Sequence, residues 1–482
     1  MEIFDAISYF KGASLIRMAE NLLGSDSFRD GMRVYINRHQ YGNANTANLW
    51  AALSEVSGQP MNTIMHHWTS EYGYPLVHLS VDRVSNLLHV QQERFFSSPS
   101  EKETLDEKEK FWAIPLRVRH ENGEFAAFLT ERNQTFPLPA SVASSLWLYP
   151  NAKQAGFYRA IIQDEGLIHQ VRNHLDRLEP TERLGLQNDW FSLAFANRME
   201  MSQPLLLLQT YAEVEDQYAV WVDLLANLSK LLQLWETEPH AHILHRYVRT
   251  ALETALDRIG WETHPEDPDL TLTLRSLLMK SAGALGNPRV IQIARSMFKD
   301  HLEGNLIHPN QQEMVFSVVM QSGTETDYDL VEGLFERTIT HEGKINLLRA
   351  LAQTQNPALL DRVLELSISD KVRPQDTFYA FASTSKTSRG RAFAWEFLQI
   401  HWHRFEELFG DGQFLFPRIV SLATQFHTHE KASEVEAFFI EHPVPFELTL
   451  NQTLAEIRSR ASWLQFQGPP FAHFLQTTLS NT

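Results

Sequence analysis

The chain has 482 residues, room for about three domains at ~150 residues each, and its 43% apolar share is that of an ordinary globular protein. A formal charge of -17 without a basic stripe excludes a nucleic-acid backbone as partner, and zero cysteines exclude disulfides, zinc ribbons and thiol catalysis. Met1 to Asp5 has neither a basic n-region nor an apolar h-region, and no stretch approaches ~18 uninterrupted apolar residues, so no export signal or membrane span is expected and the chain reads as cytoplasmic.

From Ile7 to about Leu79 the apolar spacing is helical. Leu15, Ile16, Ala19, Leu22 and Leu23 share one face, and Gly24 supplies a stop. Ser25 can cap a second helix that buries Phe28, Met32 and Tyr35. Thr46 can cap a third, carrying Leu49, Trp50, Leu53 and Val56 and stopped at Gly58. Pro60 opens a fourth with Ile64, Met65 and Trp68.

At Gly73-Tyr74-Pro75 the period changes to two. Val77, Leu79 and Val81 alternate with polar neighbours, as do Leu88 and Val90. Ser97 to Lys110 is polar and highly charged, which predicts a solvated loop. Ile114, Leu116 and Val118 then lead to the hairpin signal Glu121-Asn122-Gly123, with Phe125, Ala127 and Leu129 on its far side. The stretch reads as a small antiparallel β-sandwich. From about Gln170 nearly every segment is an amphipathic helix, separated by turns such as Glu238-Pro239, Pro265-Glu266-Asp267-Pro268 and Gly286-Asn287-Pro288. Such an array predicts stacked helix pairs with a concave face, although no strict sequence repeat is visible.

The segment Glu2 to Ser14, with Tyr9-Phe10-Lys11-Gly12, resembles the puromycin-sensitive and antigen-trimming aminopeptidases, zinc exopeptidases of the gluzincin type. Further landmarks of that family follow in order. They are Gly42-Asn43-Ala44-Asn45-Thr46, Met65-His66-His67-Trp68-Thr69, Gly73-Tyr74-Pro75, Gln92-Glu93-Arg94-Phe95, Gly156-Phe157-Tyr158-Arg159 and Arg183 to Asp189. Glu342-Gly343-Lys344, Val372 to Asp376 and Arg389 to Trp395 extend the resemblance over nearly the whole chain.

The resemblance implies a mixed, mainly α fold. Residues 1–75 would be the helical end of a thermolysin-like catalytic domain, 76–165 the β-sandwich, and 166–482 a superhelical, HEAT-like repeat domain. It also implies zinc as cofactor of the complete enzyme and peptides as its substrates. The Gly-x-Met-Glu-Asn and His-Glu-x-x-His motifs of that family do not occur: His429-Glu430 is followed by Ser433 where a second His belongs, His341-Glu342 by Ile345, and Arg198-Met199-Glu200-Met201 lacks the Gly and the Asn. This chain alone is therefore expected to bind no zinc, to be inactive, and to associate with a missing catalytic half. The alternative is a non-catalytic helical-repeat module that binds a peptide or protein.

Spacing alone makes Tyr9 a packing tyrosine. The resemblance instead makes it the transition-state stabiliser, whose hydroxyl donates where negative charge develops. Lys11 reads as a solvated charge and Gly12 as a close helix contact. Among the histidine clusters only pairs such as His242 and His245 could share one ion, and these read as surface residues. Trp50, Trp68, Trp112, Trp147, Trp190 and Trp395 read as core anchors.

Overall fold

A computed structural model describes residues 7–97, 111–264, 266–409 and 415–480. The chain divides into two compact units, Met1–Ala196 and Asn197–Thr482. It is mainly helical, with two small sheets in the first unit. No helix among the described residues is long and apolar enough to cross a membrane.

The first unit opens with a π-helical turn, Ile7–Lys11, that runs directly into α1 (Gly12–Leu23). Three helices follow: α2 (Ser25–Arg38), α3 (Thr46–Ser57) and α4 (Met61–Ser70). Gly24 ends α1 as expected, yet Ser25 is not the cap of α2, because its hydroxyl donates to Glu20 Oε1 at 3.2 Å. Nor does Thr46 cap α3. Asn45 does, accepting from the Asn48 amide at 3.1 Å while Asn48 accepts in return from Asn45 at 2.9 Å. Gly58 closes α3 at φ +70°, a left-handed position that costs glycine least. Phe28, Met32 and Tyr35 are only half-buried, so α2 keeps part of its apolar face near solvent.

Among the described residues seven strands follow. β1 (Pro75–Asp82), β2 (Leu87–Arg94), β5 (Asn133–Pro137) and β7 (Arg159–Ile162) form one sheet in the order β5-β2-β1-β7. β3 (Ile114–His120), β4 (Gly123–Leu129) and β6 (Leu148–Tyr149) form the other in the order β4-β3-β6. The wholly antiparallel sandwich expected above needs a correction, because β1 and β7 pair in parallel. Most of the sandwich separates them, so the chain returns to the β1 edge in the same direction. The hairpin also shifts by one: Gly123 pairs with His120, which leaves Glu121 and Asn122 as the turn. The loop expected at 97–110 falls almost wholly outside the described residues.

Both sheets and the four helices share one core. Val77, Leu79, Leu88 and Val90 meet Ile114, Leu116, Val118 and Leu129, and Trp50, Leu53 and Trp68 join them from the helices. Buried Gln92 links the sheets. Its Nε2 donates to the carbonyls of Trp112 and Glu131, both at 3.0 Å, and its Oε1 accepts from the Trp112 amide at 2.9 Å. Two helices, α5 (Glu165–Asn173) and α6 (Pro180–Phe195), complete the unit.

The second unit is helical throughout its described residues. Its helices are α7 (Ser202–Val214), α8 (Tyr218–Trp235), α9 (Ala241–Ile259), α10 (Asp269–Ala284), α11 (Pro288–Leu302), α12 (Pro309–Gln321), α13 (Glu325–Arg337), α14 (His341–Leu351), α15 (Pro357–Ser367) and α16 (Thr377–Thr384). After them come α17 (Ser388–Ile400), α18 (Trp402–Phe409), α19 (Leu415–Val420), α20 (His429–Glu441) and α21 (Glu447–Phe474). From α10 to α16 alternate helices touch in series, α10 on α12, α12 on α14 and α14 on α16, while α11, α13 and α15 pack beside them. That is the two-layer stacking of helix pairs. Trp235, closing α8, packs against Trp463 and Phe471 of α21 at ring-centroid distances of 6.4 and 4.8 Å.

Candidate functional site

Tyr9 stands in the π-helical turn with its side chain 55% exposed, beside Phe10 at 74%. Single π-turns insert one extra residue and often mark functional positions. The turn is braced from below by half-buried Lys11. Its ammonium donates to the carbonyl oxygens of Glu71 at 2.9 Å and Gly73 at 3.2 Å, at the C-terminal end of α4, where the helix dipole favours a cation. Burial lowers the Lys11 amine, the like charge of Arg94 lowers it further, and Glu71 opposes both. Arg94 donates to the Tyr72 carbonyl, and its guanidinium lies 4.2 Å over the Tyr72 ring and 5.1 Å over that of Trp112. Lys11 is thus a positioning cation, not the solvated charge that spacing suggests.

Several landmarks converge on Arg159. Its Nη1 donates to Asp189 Oδ1 at 2.8 Å and Asn188 Oδ1 at 3.0 Å, and its Nε donates to the Tyr74 hydroxyl at 3.1 Å. Phe157 packs on Tyr74 at 5.0 Å and on Trp68 at 6.2 Å. Gly73-Tyr74-Pro75, Gly156 to Arg159 and Arg183 to Asp189 therefore meet in one cluster. Burial pushes the Asp189 carboxyl up to about 6 even against the pull of Arg159. The aim of this cluster is structural, since it ties the sheet to α6.

The second unit contains a cavity of about 440 Å³, lined by Glu236, His245, Gln321, Gln353, Lys386 and Thr387 among others. Two glutamines meet in its lining. Gln321 Nε2 donates to Gln353 Oε1 at 3.4 Å, while Gln321 Oε1 is buried with no hydrogen-bond partner. Glu236 accepts from Arg391 at 3.1 Å and from the Ser388 amide at 2.7 Å, which neutralises it. Burial keeps His245 below the ordinary histidine range.

Residues 147–459 match the ERAP1-like C-terminal domain, about two thirds of the chain. The chain belongs to that family. Residues 1–68, which hold Tyr9 and Lys11, match the Peptidase family M1 domain. Aminopeptidase M1 of Arabidopsis thaliana is 30% identical across 96% of this chain and 54% of its own length. Alanine/arginine aminopeptidase of Saccharomyces cerevisiae is 29% identical across 96% of this chain and 54% of its own. Puromycin-sensitive aminopeptidase of Caenorhabditis elegans is 32% identical across 94% of this chain and 48% of its own. The chain spans about half the length of these relatives.

Among the described residues no three of His, Asp or Glu converge to hold an ion. His66 and His67 meet edge to face at 5.2 Å, and His401 stacks on Phe397 at 4.1 Å. His242 is exposed while His245 faces the cavity, so that pair is split as well. The six tryptophans named above are all buried, as core anchors should be. Sequence reasoning missed Lys11, Arg159 and Asp189 as members of organised clusters, because their partners are 29 or more positions away; the landmark motifs hinted at all three.

Proposed function

We propose that this chain serves a zinc-dependent aminopeptidase that removes N-terminal residues from peptides, and that alone it hydrolyses nothing. Tyr9 carries the reading: an exposed phenol, set in a π-helical turn braced by Lys11, within the residues that match the Peptidase family M1 domain. A phenol O–H can donate a hydrogen bond to an oxyanion as it forms. Zinc and the acid/base carboxylate belong to the catalytic half, with which the chain associates through its N-terminal helices. In this reading residues 1–75 are the helical end of a thermolysin-like domain, 76–165 the sandwich and 166–482 a HEAT-like repeat domain, in a cytoplasmic enzyme.

The test is a chimaera joining the zinc-binding half of the worm puromycin-sensitive aminopeptidase to this chain, assayed on aminoacyl-coumarins. The chain alone should carry no stoichiometric zinc and no activity. The chimaera should be active, and Tyr9→Phe should lower its turnover about 10²- to 10³-fold with little change in KM. Hydrolysis by the isolated chain, or a Tyr9→Phe chimaera of full activity, overturns the reading. A second reading, a non-catalytic module, is favoured by the cavity of the second unit, which joins apolar side chains to a few polar ones. It predicts peptide binding by calorimetry to the isolated chain.

A further inference from the structure

We infer that Lys386 is a carbamate-forming amine, which adds carbon dioxide and thereby places a carboxylate in the cavity of the second unit. Lys386 lines that cavity and is exposed to its solvent, and among the described residues its ammonium makes no hydrogen bond or ion pair. The charges around it do not balance. Lys280 of α10 donates to Glu313 Oε1 of α12 at 2.5 Å, and Arg349 of α14 lies 3.7 Å from the same oxygen. Two cations already share that carboxylate. Glu236, at the end of α8, is spent on Arg391 of α17, and His245 of α9 brings no negative charge. Lys386 is a third cation without an anion.

The reaction corrects this. The Nζ lone pair attacks the carbon of CO₂, a C–N bond forms, one C=O electron pair moves onto oxygen, and nitrogen releases a proton to water. A repelled cation becomes an anion among cations, and no oxidant or reductant is needed. Crowding by protein, with the like charges of Lys280 and Arg349 set against Glu313, brings the amine down to about 8. At pH 8 roughly half of it is then nucleophilic, against less than about 1% for an ordinary lysine.

The experiment is ¹³C NMR of the full chain in ¹³C-bicarbonate at pH 8, with the terminal α-amine, which also forms a carbamate, as internal reference. A second carbamate signal should appear and be lost in Lys386→Arg, and its occupancy at fixed dissolved CO₂ should be half-maximal near pH 8. Glu313→Gln, which deepens the charge imbalance, should shift half-saturation to lower CO₂. Absence of a second signal, its persistence in Lys386→Arg, or a midpoint near 10 overturns the inference.

Discussion

Arg159 and Asp189 meet at 2.8 Å, and they bring a strand and a helix thirty positions apart into one buried ion pair. The pairing is costly. Desolvation of Asp189 outweighs the attraction of Arg159, which is why its carboxyl sits near 6 instead of its ordinary 3.8. Asp189→Asn leaves a buried guanidinium without a counter-charge and should cost roughly 3–5 kcal/mol in urea unfolding, whereas Arg159→Met/Asp189→Leu should be close to neutral. The pH dependence follows from the raised pKa. Between about pH 4 and 6 the native carboxyl holds a proton that the unfolded chain has released, so wild-type stability relative to the double variant should fall as pH rises through that window. A flat difference, or one that rises, would contradict this account.

The contrast between what this pair hides and what the helices reveal is physical. Gly58 and Pro60 mark real helix ends because glycine's left-handed freedom and proline's missing N–H act within their own turn. Asn45 and not Thr46 caps α3, and the Ser25 hydroxyl is spent on Glu20 instead of an α2 amide, choices that spacing cannot arbitrate. The parallel β1–β7 pairing, the Arg159 cluster and the surroundings of Lys386 depend on where distant segments return. The period of the chain holds no record of that. Tyr9 was legible only through the motif around it, since an exposed tyrosine and a packing tyrosine have the same spacing.

Lys11 holds the π-helical turn to the end of α4 through two carbonyls. Hydrogen bonds to a charged donor contribute about 1.5–3 kcal/mol when partly buried. Lys11→Met should therefore lower stability by about that amount at most and speed hydrogen exchange near residues 71–75. Unchanged exchange there would mean that the brace is ornamental.

Gly390 offers a sharper test of packing. A Cβ at this position would lie 1.9 Å from the Thr384 carbonyl oxygen, which is backbone and cannot swing aside. Gly390→Ala must push the start of α17 away from the end of α16, at a cost of about 3 kcal/mol or more. Thermal unfolding should show a clear fall in Tm, and an unshifted transition would mean that the two helix ends can separate freely.

The exposed residues of the first helices make the last prediction. Phe10 is 74% exposed, Ile36 56% and Tyr41 fully so, with Tyr9 and Tyr72 similar to Ile36. Scattered apolar residues need no explanation, but this many large ones in the first ~70 positions would each contribute about 1.5–3 kcal/mol if a partner surface buried them. The isolated chain should therefore bind a hydrophobic dye or self-associate, whereas the chimaera with the catalytic half should do neither. Phe10→Ser/Ile36→Ser/Tyr41→Ser should cut dye fluorescence severalfold without moving Tm, because these side chains contribute little to the core of the unit. A wild-type chain that is monomeric and binds no dye would mean that these residues face water by design, and the association proposed for the N-terminal helices would lose its support.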